Sequence, residues 1–136
     1  MPVLARLIGV VSDARLERLL ERPELERALF GALARRFDPA AADGFEGQIV
    51  YELERPASAG PTSRHTIEVA DGRAQARRGP TEDPAVRLRM PVADFLRAAV
   101  GATDPAEPVL RNRATVSGDL AVAVRLPEMF RAPRPR

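Results

Sequence analysis

The sequence predicts an α+β domain: a five-stranded, mostly antiparallel sheet covered on one face by helices. Three observations carry this. Apolar residues recur at helical spacing as far as Phe37. After Phe45 they alternate with a period of two instead. Four strand-like runs then follow one another, with helical segments on both sides, an order that argues against a regular alternation of strand and helix. At 136 residues the chain has the length of one domain and enough apolar material for a core. It divides into a leading helical segment (1–44), a sheet with its helices (45–130) and a tail (131–136).

Each element has a local reason. Asp13 can cap a helix starting at Ala14, with Leu16, Leu19 and Leu20 on one face. Pro23 interrupts it and serves as the first residue of a second helix. There Leu25, Leu29 and Leu33 form a stripe widened by Phe30 and Phe37, and Asp38-Pro39 stops it. In the first strand Ile49, Tyr51 and Leu53 alternate with Gln48, Val50 and Glu52, and a loop is expected from Ala57 to Pro61. His65, Ile67 and Val69 share one face of the next strand, and Asp71-Gly72 is a two-residue hairpin signal. Its partner, Arg73 to Arg78, turns Ala74 and Ala76 inward, and Gly79-Pro80 turns the chain. Val86, Leu88 and Met90 mark a fourth strand. Pro91 then opens a helix with Asp94 in its first turn and Phe95, Leu96, Ala99 and Val100 on its apolar face, ended by Gly101. Residues 102–110 read as a loop or a short helical turn. Ala114, Val116 and Gly118 give a fifth strand. Asp119 caps a last helix whose Leu120, Ala123 and Val124 are expected to face inward. Pro127 cannot sit unkinked inside that helix, so Pro127 to Phe130 form a separate turn. The tail from Arg131 is expected to fray.

Composition excludes several functions. There is no Cys and a single His, so disulfides and thiolate metal sites are out and no metal site is expected. Asp43, Asp83 and Asp94 are accounted for by turns and helix starts. No segment reaches the roughly 18 apolar residues of a membrane span. The run Leu7 to Val11 is short for a signal peptide, so the chain is expected in the cytoplasm, with no stable membrane insertion. All 21 basic residues are Arg, which together with abundant Ala and Pro reads as a GC-rich bacterial coding bias. A net charge of +2 and 4% aromatics give little for nucleic acid to bind, so no nucleic-acid partner is expected. No phosphate-cradling glycine loop is present, and no cofactor is expected.

The segment from Phe45 to Phe130 resembles the sterol carrier protein type-two family of nonspecific lipid-transfer domains, and the leading helices resemble those of its stand-alone bacterial members. The resemblance rests on Phe45-Glu46-Gly47-Gln48-Ile49-Val50-Tyr51-Glu52-Leu53 and on Ile67-Glu68-Val69-Ala70-Asp71-Gly72-Arg73-Ala74. It continues through Asp83-Pro84, Val86-Arg87-Leu88-Arg89-Met90-Pro91-Val92-Ala93-Asp94-Phe95-Leu96 and Val116-Ser117-Gly118-Asp119-Leu120. It implies an apolar cavity between sheet and helices that takes sterols, acyl chains or related lipids, and it carries over no catalytic residue set. Many members have a Trp near the position of His65 or Thr66. This chain has none, which leaves the shape of one cavity wall open.

The expected function is an intracellular carrier for an apolar small molecule: a lipid, or a sterol-like or polyketide-like compound. Its expected lining is Phe30, Phe45, Ile49, Tyr51, His65, Ile67, Val69, Leu88, Phe95, Leu96, Val116, Leu120, Val124, Met129 and Phe130. Apolar residues at these periods line a tunnel or fill a solid core equally well, and only the resemblance selects the tunnel. The alternative is an enzyme or accessory factor of a bacterial biosynthetic pathway that folds or cyclises an apolar intermediate in the same cavity. His65 and Tyr51 are the polar groups on the apolar phase that such chemistry would use. His65 has no acidic or nucleophilic partner at a recognisable spacing. The plainer reading makes His65 a histidine at the sheet rim and Tyr51 a core tyrosine whose hydroxyl reaches the surface. A third reading is a protein partner held by the leading helices through a patch of Leu16, Leu20, Leu25 and Leu29.

Overall fold

A computed structural model describes residues 2–131. Four helices lead: α1 (Pro2–Val10), α2 (Asp13–Leu19), α3 (Pro23–Arg35) and the single turn α4 (Pro39–Ala42). Four strands follow, β1 (Gly47–Arg55), β2 (Gly60–Ala70), β3 (Arg73–Arg78) and β4 (Val86–Pro91). The chain then forms α5 (Val92–Ala99), a turn of helix α6 (Glu107–Leu110), the edge strand β5 (Thr115–Gly118) and two further turns, α7 (Leu120–Ala123) and α8 (Leu126–Met129). The fold is the α+β sheet-and-helix layer expected from the sequence.

The sheet order is β3-β2-β1-β4-β5. All neighbours are antiparallel except β1 and β4. A parallel pair needs a crossover rather than a hairpin. Here the chain goes out to the β3 edge and returns past the start of β1, where the Ala85 N–H donates to the Gln48 carbonyl at 2.8 Å. Beside this crossing Gly118 has φ +102°, and a Cβ there would meet the Ala85 carbonyl oxygen at 2.3 Å. Only glycine permits the approach that lets Asp119 N–H bond the same carbonyl at 2.7 Å.

The two-residue period puts Ile49, Tyr51, Leu53, His65, Ile67, Val69, Val86 and Met90 on one buried face. Helix α3 lies over β2 and β3, α5 lies over β1 and β4, and α1 and α2 pack on α5. The other face is charged. Glu52 pairs with Arg64 at 3.1 Å and Arg87 at 3.5 Å, and Glu54 pairs with Arg89 at 3.1 Å. Val50 and Thr66 stand opposite each other on this outer face and are nevertheless buried. In register they are flanked by Arg87 and Arg77, whose aliphatic stems can cover them.

Several expectations are corrected. Residues Pro2 to Val10 are helical, not merely an apolar run. Ser12, not Asp13, caps α2: its hydroxyl accepts from Arg15 N–H at 3.3 Å. Strand β2 begins at Gly60, inside the expected loop, and Pro91 ends β4 rather than opening α5. The last helix breaks before Pro127 as expected, but the break is earlier and rotates the inward stripe. Val122, Leu126 and Met129 are buried, while Leu120 and Val124 are 62% and 76% exposed. Leu16 and Leu20 are core residues, so they cannot form the proposed partner patch. Beyond Arg131, the expected frayed tail lies outside the described residues. Among those described, no helix is long and apolar enough to cross a membrane.

Candidate functional site

Where α3 and α5 cross the sheet, four rings meet. Phe30 of α3 lies between His65 of β2 (centroids 4.1 Å apart, planes at 12°) and Phe95 of α5 (4.9 Å, 13°). Tyr51 of β1 meets Phe30 edge-on at 5.6 Å and Phe95 at 5.3 Å. All four are buried. Burial pushes the Tyr51 hydroxyl up, so it stays protonated.

One turn before Phe30, on the same face of α3, stands Glu26, only 3% exposed. Its Oε1 lies 2.8 Å from His65 Nε2 and accepts from the Ser63 hydroxyl. Its Oε2 accepts from Arg55 Nη2 at 3.2 Å. The buried Arg55 guanidinium is held by three further acceptors. Nη2 donates to the Leu20 carbonyl at 2.9 Å, and Nη1 donates to the Pro61 carbonyl at 2.9 Å and to Ser63 Oγ at 3.0 Å. Arg55 Nε is buried with no partner among the described residues. Nearby, the fully buried Glu17 accepts from the backbone N–H groups of Ala57 and Ser58 at 3.0 and 2.8 Å, pinning the turn between β1 and β2.

Burial alone would raise the Glu26 pKa. Hydrogen bonds from His65 and Ser63, with the charges of His65 and Arg55, outweigh it and hold the carboxyl below its ordinary value of 4.5. A carboxyl depressed in the folded state stabilises the fold above its unfolded pKa, and that contribution is lost as pH falls through the folded value. Acid should therefore erode stability below about pH 4.5, and Glu26→Gln should flatten this limb. Urea midpoints from about pH 6 down to about pH 3 test it. Equal acid slopes for the two proteins would contradict the assignment.

Of the expected lining residues, Phe30, Ile49, Tyr51, Ile67, Val69, Phe95, Leu96, Met129 and Phe130 are buried in one core, and His65 is buried against it on Phe30. Phe45, Leu88 and Val116 pack partly buried against it. Leu120 and Val124 face solvent and do not join them. At the α8 end Phe130 meets Phe37 at 5.5 Å, and the Asp38 N–H donates to the Met129 carbonyl at 2.8 Å. The rings occupy space in which an apolar cavity is expected. A cleft of about 220 Å³ opens elsewhere, at the surface, lined by Asp13, Asp94, Arg97, Glu107, Arg111 and Arg113 among others. Its charges are largely paired: Arg97 with Asp13 at 2.7 Å, and Arg113 with Asp94 at 2.6 Å and Asp13 at 3.2 Å. No group of described residues could hold a metal ion.

Sequence reasoning missed Glu26, Arg55, Ser63 and Glu17. Three of them left a signal. Glu26 interrupts the α3 stripe at the helical phase of Phe30, Arg55 continues the apolar phase of Ile49, Tyr51 and Leu53, and Ser63 is in phase with His65. A charged or polar side chain on a core phase implies a buried partner.

The model of the SCP-2 sterol transfer family matches residues 25–131. The chain belongs to this family. No curated protein sequence matches it. Among solved structures, the fold is shared with the stereoselective inverting sec-alkylsulfatase of a Pseudomonas species (TM-score 0.60, 15% identity, 76% of this chain covered). This chain spans only 16% of that enzyme. Sterol carrier protein 2 of Yarrowia lipolytica matches along most of its length (TM-score 0.57, 14% identity, 75% of this chain and 89% of that one). So does the palmitated sterol carrier protein 2-like 2 of Aedes aegypti (TM-score 0.55, 15% identity, 77% and 96%). The SCP-2 fold is the shared property at these identities. In this member its inner layer is an aromatic cluster bordered by a buried ionic network.

Proposed function

We propose that this chain binds and carries a lipid or lipid-like apolar small molecule between the sheet and its helices, in the cytoplasm. One observation supports the reading beyond family membership: an apolar layer runs from Phe30 and Leu33 of α3 to Phe37, just past the end of that helix, and Phe130. At its far end the single helical turn α8 packs against α4. The palmitated mosquito protein of the same fold supports an acyl chain as one occupant. Loading requires that side chains now filling the layer move aside. The turn Pro127 to Phe130 is suited to this, because Pro127 offers no N–H to bind it to the preceding turn and Met129 adapts to ligands of different shape. Each CH₂ transferred from water contributes about 0.8 kcal/mol, so a long acyl or polycyclic ligand offsets the opening of one turn with few polar contacts. Selectivity then follows length and volume.

The test measures dissociation of a fluorescent fatty acid alongside denaturant unfolding. Phe130→Ala is expected to speed release about tenfold, equivalent to about 1.4 kcal/mol, and to cost less stability than Phe95→Ala. Unchanged release, or a stability loss as large as that of Phe95→Ala, would make Phe130 ordinary core. If the wild type binds no fatty acid or sterol probe, and none travels with the freshly purified protein in native mass spectrometry, the carrier reading falls.

A further inference from the structure

Glu26 is the one member of the buried ionic network that belongs to the helical layer. Its partners, Arg55, Ser63 and His65, belong to β1 and β2. These three donors converge on one carboxylate at the edge of the aromatic cluster, and His65 belongs to both, stacking on Phe30 while its Nε2 meets Glu26. Each of these donors has a hold besides Glu26. Arg55 is also held by the Leu20 and Pro61 carbonyls and by Ser63 Oγ. The His65 backbone is fixed by ladder pairing on both sides, with Tyr51 and Arg78, and its ring stacks on Phe30.

We infer that Arg55, Ser63 and His65 form a preformed slot for the carboxylate of an apolar acid, and that Glu26 fills the slot as an internal stand-in until such a ligand displaces it. The inference rests on the carrier reading and narrows its ligand class to long-chain carboxylic acids over uncharged lipids. The chemistry is matched: a guanidinium, a hydroxyl and an imidazole surround a carboxylate with charge-assisted donors, while an ester or alcohol would leave Arg55 without a counter-charge. Because Glu26 and Phe30 lie one turn apart on α3, an outward shift of that helix vacates the slot and the adjoining apolar space together. Exposed apolar acids thus compete with one intramolecular carboxylate, which keeps the empty protein closed.

Two variants test this. Glu26→Ala removes the stand-in and leaves room for a small carboxylate. Acetate is expected to raise its melting temperature, or to restore its folding, relative to chloride at equal ionic strength, and to leave the wild type unmoved. No preference of Glu26→Ala for acetate over chloride overturns the slot. Glu26→Gln keeps the side-chain shape without the charge. It is expected to bind a fluorescent polyene fatty acid about tenfold more tightly than wild type does, with the methyl ester of that acid unchanged. Acid and ester bound alike by the wild type and both variants overturns the slot and leaves the carrier reading standing. If no form binds either ligand, both fall.

Discussion

Arg55→Ala is expected to lower the unfolding free energy by about 3–5 kcal/mol, the cost of breaking a buried ion pair from one side. The substitution strands the buried Glu26 carboxylate with only Ser63 and His65, and it takes a donor from the Leu20 and Pro61 carbonyls. It also cuts the tie between the end of β1, the start of β2 and the junction of α2 with α3. Small domains hold about 5–15 kcal/mol in all, so the variant should sit near the folding threshold. Arg55→Met combined with Glu26→Leu should recover most of the loss, because an apolar pair of similar volume removes both buried charges together. Urea unfolding of the three proteins decides the matter. A cost for Arg55→Ala below about 1 kcal/mol would class the pair with solvated surface bridges and contradict its burial.

Phe30→Ala is expected to cost about 3–5 kcal/mol, the range for deleting a buried aromatic ring. Phe30 is 1% exposed and touches three other rings. Its loss forfeits ring–ring contacts worth about 0.5–1.5 kcal/mol each beyond area burial, and it uncovers His65. Phe30→Leu should cost clearly less, since it keeps most of the volume. If the enlarged interior accepts an apolar ligand, a saturating fatty acid should restore part of the stability lost by Phe30→Ala through mass action. A loss below about 1.5 kcal/mol would mean that the layer collapses to close the gap, and that Phe30 is not its centre.

The layer itself was legible in the residues, because burial on one face leaves a period. The alternation Ile49/Tyr51/Leu53 and His65/Ile67/Val69, the Asp71-Gly72 turn and the Gly118-Asp119 helix start all stand where local chemistry puts them. Each depends on neighbours a few positions away. The same logic misread Leu120 and Val124. Their inward phase assumed one continuous helix, and a break at Val124-Arg125 gives the inward positions to Val122, Leu126 and Met129 instead.

By itself, then, the sequence determined the element order, the inward faces of four strands and of α5, and the aromatic residues that meet between them, while in the leading helices it turned Leu19 and Leu25 inward although both are exposed. Only the tertiary structure decided what those faces enclose. Whether aligned apolar residues close up or stand apart depends on how two layers approach, and periodicity carries no term for that distance. The ionic network lay equally out of reach. Glu26 is separated from Arg55 by 29 positions and from His65 by 39. A charge on an apolar phase signals only that a partner is required, since burying it alone is prohibitive. The crossing of α3 over β2 is what supplies that partner.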